Sequence, residues 1–183
     1  MILLFGPTGA GKSVQGKMLA ARKGWQWIST GELLRQNADD QTIEMLKTGE
    51  LISDNIIYKV FEKAIGDIYS NGDSNFIIDG FPRNKNQAEW FSDYIKKSGK
   101  QIDIVVVLEV PDSEIMTRLE KRNRMEDTPE TIMRRMNIYR QKMYPVLGIL
   151  ADAGARIVHL DGTGTVGEVH DRIYSEVKTV CQD

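Results

Sequence analysis

This sequence predicts an α/β fold in layers, with a five-stranded parallel sheet flanked by helices, and three observations carry that prediction. Five short apolar runs read as strands: Met1 to Phe5, Trp25 to Ile28, Phe76 to Ile78, Ile104 to Leu108 and Ile157 to Leu160. Most of them lack apolar–polar alternation, and a strand that is apolar on both sides is buried on both faces, as in a parallel sheet covered by helices. Helix-length segments separate the runs, which is the pattern of an α/β chain. The 183 residues suit one domain, residues 1–183, and a composition of 41% hydrophobic and 27% charged residues is that of an ordinary globular chain.

The first strand leads into Gly6-Pro7-Thr8-Gly9-Ala10-Gly11-Lys12-Ser13, a full match to G-x-x-x-x-G-K-[ST] in the strand–loop–helix context that gives the pattern its meaning. Gly6, Gly9 and Gly11 let the backbone turn tightly and aim N–H groups inward, while the helix starting at the end of the loop adds its positive N-terminal field. A polyphosphate fits there, with Lys12 reaching the outer phosphates and the Ser13 hydroxyl helping to hold Mg²⁺. The competing reading, an ordinary glycine-rich turn, is weakened by the completeness of the match.

Helices are expected over Lys12–Arg22, Gly31–Gln36, Gln41–Lys47, Asp54–Tyr69, Lys85–Lys97, Ser113–Arg122, Pro129–Leu150 and Val166–Val180. Thr128 and Pro129 form a helix start, an N-cap followed by proline at the first helical position, and Pro145 is expected to bend the helix that follows. Ile132, Met136, Tyr139, Met143, Leu147 and Leu150 recur at spacings of three and four, so the methionines there fill core and hold no cofactor. His159 and His170 lie far apart in sequence without ligand-spaced Cys or acidic neighbours, and a zinc site is not expected.

A net charge of −2 argues against general affinity for nucleic acid or membrane surfaces. No segment approaches the roughly 20 apolar residues that a membrane helix needs. The lone Cys181 cannot make an internal disulfide and reads as an incidental thiol. A chain opening directly on a strand has no leader peptide in view, so the expectation is a soluble protein of a reducing cytoplasm.

A phosphate cradle says nucleotide but not reaction, and three further stretches supply a second anion site. Ile28-Ser29-Thr30-Gly31-Glu32-Leu33-Leu34-Arg35 follows the second strand, and Phe76-Ile77-Ile78-Asp79-Gly80-Phe81-Pro82-Arg83-Asn84-Lys85-Asn86-Gln87 contains the third. Arg118 to Asp127, with Arg135 beyond, follows the fourth. In a parallel sheet the carboxyl ends of the strands share one edge, so these arginines can converge on the cradle. Arginine forks hold phosphate oxygens bidentately and keep their charge, which is what neutralising two polyanions requires. The alternative for any one arginine is a surface salt bridge to neighbours such as Glu126, Asp127 or Glu130.

Over nearly its whole length the chain resembles the adenylate kinases of the nucleoside monophosphate kinase family, with the four motifs in the family's order. The resemblance implies a three-layer P-loop NTPase fold with two mobile pieces: a monophosphate-binding arm, here about 29–58, and a lid over ATP, here about 122–129. It implies reversible transfer of a phosphoryl group from MgATP to AMP, giving two ADP. For ATP it implies contacts from Gly6, Gly9, Ala10, Gly11, Lys12, Ser13, Val14, Arg118, Arg122 and Gly164, the last in a late turn, Asp161-Gly162-Thr163-Gly164, that meets adenine. For AMP it implies Thr30, Arg35, Leu51, Ile52, Gly80, Arg83, Gln87, Arg124 and Arg135. Lys12, Arg83, Arg122, Arg124 and Arg135 would carry catalysis. Mg²⁺ would be held through Ser13 and Asp79, partly by way of water, with Glu32 a further candidate. The implied partners are ATP, AMP and ADP, for a monomer without nucleic-acid or membrane partners.

Thr30 and Gln87 are the residue types of AMP-using members, where members preferring UMP or CMP resemble Ala and Asn; a Gln amide can donate to and accept from an adenine edge at once. A UMP/CMP or broad-specificity kinase is the alternative enzyme, and a non-catalytic nucleotide-binding module the alternative of another class. Several positions depart from the family pattern. Only Asn123 separates Arg122 from Arg124, so the lid is a loop, and closure is expected as a small movement of the 118–135 segment that excludes water. Ser13-Val14 stands in place of Gly-Thr, Glu32 replaces the usual Asp, and the stretch from Arg35 to Gly49 is short. The Phe81–Pro82 bond resembles one that is cis in the family.

Overall fold

The structure, a computed structural model, describes residues 1–37, 52–70, 75–122 and 127–180. Its five strands are β1 (Ile2–Phe5), β2 (Gln26–Ser29), β3 (Phe76–Asp79), β4 (Ile104–Glu109) and β5 (Arg156–Asp161). The helices among the described residues are α1 (Lys12–Lys23), α2 (Thr30–Asn37), α3 (Asp54–Ser70), α4 (Lys85–Lys97), α5 (Asp112–Arg122), α6 (Pro129–Asp152) and α7 (Val166–Val177). The helix expected over Gln41–Lys47 falls outside the described residues.

All strand pairs are parallel, in the order β2-β3-β1-β4-β5. Leu4 is level with Asp79 on one side and Val106 on the other, and Ser29 is level with Asp79. The carboxyl ends of β1, β2 and β3 therefore finish together. From β1 the chain leaves toward β2, and from β4 toward β5, so a crevice opens at the strand ends beside β1, where ligands bind in open α/β sheets.

The apolar runs supply both faces of the sheet. Ile2, Leu4, Ile77, Ile104, Val106 and Leu108 pack with Leu19 and Ala20 of α1 and with Val169, Ile173 and Val177 of α7. The alternate residues, Leu3, Phe5, Phe76, Ile78, Val105 and Val107, pack on the other side with α3, α4 and α6 through side chains such as Phe61, Phe91 and Val146. Phe61, Phe81 and Phe91 meet in one aromatic cluster, with centroid separations of 4.6, 5.5 and 5.4 Å. A smaller cluster of Ile115, Leu119, Ile132 and Met136 joins α5 to the start of α6, apart from the sheet.

Local chemistry sets the helix ends. Thr128 caps α6 by accepting from the Thr131 N–H, with Pro129 inside the first turn. Asn84 caps α4 by accepting from the Gln87 N–H, and Thr165 with Glu168 forms a capping box on α7. α6 runs unbroken through Pro145: the proline and Gln141, whose carbonyl loses its helical donor, both lie on the exposed face where water can serve it. Met136 and Met143 are buried, as the spacing predicts. α7 ends at Val177, three residues before the expected Val180, where the Thr179 hydroxyl turns back onto the Glu176 carbonyl at 2.7 Å. The Phe81–Pro82 bond is cis. No helix among the described residues is long and apolar enough to cross a membrane.

Gly16, on the inner face of α1, is where the helix leans on β2. A Cβ there would stand 2.4 Å from Trp27 Nε1, 2.6 Å from Trp27 Cδ1 and 3.2 Å from Leu4 Cδ1. Gly16→Ala gains about 1 kcal/mol of helix propensity but forces the indole to shift, an overpacking penalty of roughly 1–3 kcal/mol. A net loss of stability of up to about 2 kcal/mol is expected in a urea or thermal melt; a variant as stable as the parent would show that the α1–β2 contact yields freely.

Candidate active site

The strand ends and the helix starts that follow them surround one cleft of about 600 Å³. Lys12, Arg35, Arg83, Arg118, Arg122 and Arg135 all line it. The cradle forms its floor from Gly6 and Thr8 through Gln15, and Gly6, Gly9 and Gly11 adopt positive φ angles of 144°, 82° and 93°. Lys12 folds over its own loop, donating from Nζ to the Gly6 and Pro7 carbonyls at 2.8 Å each. Removal from water lowers its pKa to about 8; Asp79 works against that shift, while Arg83 and Arg122 add to it. Ser13 Oγ donates to Asp79 Oδ2 at 2.5 Å, and Asp79 is buried.

One short turn after β3 builds the opposite wall. Gly80 has φ 81°, and a Cβ there would stand 2.8 Å from Arg83 Nη2, so no side chain could be accommodated without moving that arginine. The Gly80 carbonyl accepts from Arg83 Nε at 2.6 Å and from Thr30 Oγ1 at 2.8 Å. Arg83 opens onto the cleft at its surface, yet removal of its guanidinium from water, together with Arg135 and Arg35, lowers its pKa from the ordinary arginine range against the pull of Asp79. An arginine so placed still keeps its charge at any working pH. Gln87 lies one turn further along. The sequence places it at a solvent-compatible helix start, but the structure buries it to 2% exposure beneath the cleft wall. Its Oε1 accepts from the Arg83 N–H at 2.7 Å and its Nε2 donates to Asp54 Oδ1 at 2.7 Å.

The third wall comes from α5, α6 and the turn after β5. Arg118 donates to Glu114 Oε1 at 2.9 Å and to the Gly162 carbonyl at 3.0 Å. Arg122 grips Asp127 bidentately, Nε to Oδ2 and Nη2 to Oδ1 at 2.7 Å each, and Arg135 lies 3.5 Å from the same carboxylate. Asp127 is 2% exposed at its side chain, so this is not the surface salt bridge that the sequence offered as the alternative reading. It holds two cleft arginines at a fixed spacing. The late turn is braced as well: Arg172 Nη1 donates to the Asp161 and Thr163 carbonyls at 2.9 and 2.7 Å, and Asp161 accepts from the Thr163 N–H and hydroxyl. Those two hydrogen bonds, first the backbone one, keep the exposed Asp161 carboxyl below its usual range.

Of the residues singled out from sequence, Gly6, Gly9, Ala10, Gly11, Lys12, Ser13, Val14, Thr30, Arg35, Ile52, Asp79, Gly80, Arg83, Gln87, Arg118, Arg122, Arg135 and Gly164 all line the one cleft. Leu51 and Arg124 lie outside the described residues, as do residues 123–126 of the expected lid and 38–51 of the expected arm. Glu32 is turned elsewhere: its carboxylate meets Lys17 at 3.1 Å and is not part of the cleft lining. Among the described residues no group of three or more His, Cys, Asp or Glu side chains could enclose a metal ion. Sequence reasoning missed Asp54 and Arg172, and offered Asp127 only as a surface partner of the arginines. Only Asp127 carried a signal, its place directly before the Thr128-Pro129 helix start and between two cleft arginines.

A family profile described as adenylate kinase matches residues 4–155. The chain is 34% identical to an adenylate kinase of Maricaulis maris, over 92% of this chain and 93% of that protein. It is 33% identical to one of Prochlorococcus marinus, over 92% and 91%, and 31% identical to one of Salinibacter ruber, over 94% and 95%.

With its pKa near 8, Lys12 is a cation below that pH and neutral above it. Affinity for a non-hydrolysable nucleoside triphosphate should therefore weaken as pH rises past 8, by at most about tenfold per pH unit for one linked proton. Calorimetric titrations between pH 7 and 10 would measure this, and a flat profile would show that the lysine charge does not govern binding.

Proposed function

The chain belongs to the adenylate kinase family, and we propose that its cleft carries out the family's phosphoryl transfer by positioning and charge neutralisation, with no general base. The enzyme is an ATP:AMP phosphotransferase, converting ATP and AMP reversibly into two ADP. The observation that carries the mechanism is the convergence of Lys12 and five arginines on one cleft. A monophosphate oxygen is already ionised near neutral pH, so the attacking group needs no base; two polyanions need to be aligned and their repulsion removed.

The division of labour follows the walls of the cleft. The cradle and Lys12 hold the ATP phosphates, and Lys12 exchanges its loop carbonyls for phosphate oxygens on binding. Arg118, Arg122 and the braced turn with Gly164 hold the rest of ATP. Arg35 and Arg83 hold the AMP phosphate, with Thr30, Leu51, Ile52, Gly80 and Gln87 around its nucleoside. Arg122, Arg124 and Arg135 bracket the transferred group. Asp127 keeps Arg122 and Arg135 together while leaving guanidinium N–H groups of each for phosphate, since arginine has five donors.

The Ser13 hydroxyl and the Asp79 carboxylate fit Mg²⁺, because a hard cation takes oxygen donors, retains waters and shares substrate phosphates rather than needing a protein cage. When bound there, the metal would neutralise phosphate charge. Glu32, paired with Lys17, is a weaker candidate for that shell. The arm about 29–58 and the lid about 122–129 would close over AMP and ATP and exclude water. The same reading has the protein working as a cytoplasmic monomer on ATP, AMP and ADP, without nucleic-acid or membrane partners.

A steady-state assay with MgATP and AMP, UMP, CMP, GMP or no acceptor tests the reading. Turnover should be greatest with AMP; a pyrimidine preference would sink the base assignment, and no transfer at all would leave a binding module. Arg122→Ala should lower kcat by about 10³–10⁵, the range for an arginine that stabilises transferring phosphoryl charge. A loss confined to KM would give Arg122 a binding role only.

A further inference from the structure

The two ends of the Gln87 amide meet groups that each have a single hydrogen-bonding capability. The Arg83 main-chain N–H only donates, and it reaches Oε1 at 2.7 Å. The Asp54 carboxylate, as an anion, only accepts, and it takes Nε2 at 2.7 Å. A flipped amide would set nitrogen against N–H and oxygen against carboxylate, so both partners select the same orientation. Asn84 closes the ring: its Oδ1 accepts from the Gln87 N–H at 2.9 Å, leaving its Nδ2 to donate to Asp54 Oδ1, also at 2.9 Å. Asp54 stands at the start of α3, whereas Asn84 and Gln87 belong to the cap and first turn of α4, so the ring ties together two helices that flank the acceptor wall.

From this geometry we propose that Asp54 is a positioning residue that fixes the Gln87 amide and thereby selects a 6-amino over a 6-oxo purine in the acceptor site. The proposal rests on the reading of Gln87 as the residue facing the acceptor base. A primary amide has a second N–H and a second lone pair to offer a ligand. Held in one orientation, it presents donor and acceptor in one order only. Adenine offers an N6–H donor beside an N1 acceptor; hypoxanthine offers an O6 acceptor beside an N1–H donor, the reverse order. A Gln free to flip serves either edge, and a fixed Gln leaves the wrong base with opposed groups, the situation in which a polar site discriminates most strongly.

The test compares AMP and IMP as acceptors at saturating MgATP for the parent, Asp54→Ala, Asp54→Ser and Gln87→Ala. In Asp54→Ala the ratio of kcat/KM for AMP over IMP should fall about tenfold, with KM for AMP raised and kcat at saturating AMP within about twofold of the parent. Asp54→Ser keeps a small polar group at the helix start, but its hydroxyl both donates and accepts and so fixes neither orientation. It should show the same loss and serves should the alanine variant fail to fold. Unchanged AMP/IMP selectivity in both Asp54 variants, alongside a loss in Gln87→Ala, would overturn the role of Asp54 and leave Gln87 as the base reader. Unchanged selectivity in Gln87→Ala would overturn both.

Discussion

Repulsion among six cations in one cleft is the constraint around which this structure is arranged. Lys12, Arg35, Arg83, Arg118, Arg122 and Arg135 line a space of about 600 Å³ in a chain whose net charge is −2. Burial is the main cause of the lowered pKa of Lys12, and Arg83 and Arg122 add to it against the pull of Asp79. The fold answers with acceptors placed between them. Asp79 faces Lys12 and Arg83, Asp127 lies between Arg122 and Arg135, and the carbonyls of Gly6, Pro7, Gly80 and Gly162 accept from Lys12, Arg83 and Arg118. The cations are thereby pre-positioned for an anion, and less reorganisation is left to the moment of binding.

The sheet makes that concentration possible. Only parallel strands bring several carboxyl ends to one edge, and β1, β2 and β3 end level with one another. Burial on both faces holds the edge in place: β1 and β3 are wholly buried, packed alternately toward α1 and α7 or toward α3, α4 and α6. Arg118, Arg122 and Arg135, by contrast, stand on α5 and α6, whose small cluster of Ile115, Leu119, Ile132 and Met136 is separate from the sheet core. Further along, α6 packs on the sheet through Val146 and Leu150, so this helical pair is tied to the sheet core at one end.

The fold was legible in the sequence because it is written in short-range patterns. Apolar runs gave all five strands to within a residue or two, Thr128-Pro129 gave the start of α6, and a contiguous motif gave the cradle. The cleft arginines could be found because parallel strands bring the loops that follow their carboxyl ends to one edge. What could not be read were partnerships between distant side chains. Asp54 is 33 residues from Gln87 and resembles any acidic residue at a helix start, where the helix field favours it regardless of partner. Arg172 lies half-buried on α7, and nothing local tells that it braces a turn of the cleft. For Glu32, motif position points to the metal, and the structure pairs its carboxylate with Lys17 on α1, a partnership that no local pattern announces.

The turn from Asp79 to Gln87 shows why such partnerships matter more than the motif that contains them. Asp79 receives the Ser13 hydroxyl, the Gly80 carbonyl is shared by Thr30 and Arg83, the Arg83 N–H orients Gln87, and Asn84 caps the helix on which Gln87 stands. The groups proposed to serve metal, phosphate and base therefore belong to one hydrogen-bonded stretch of nine residues, 79–87. Phe81, 1% exposed and packed against Phe61 and Phe91, fixes the stretch to the core. Because interiors are close-packed and transmit strain, a displaced Phe61 or Phe91 would shift this stretch as a unit. The stretch is thus held by an aromatic cluster, one ring of which, Phe81, also lines the cleft.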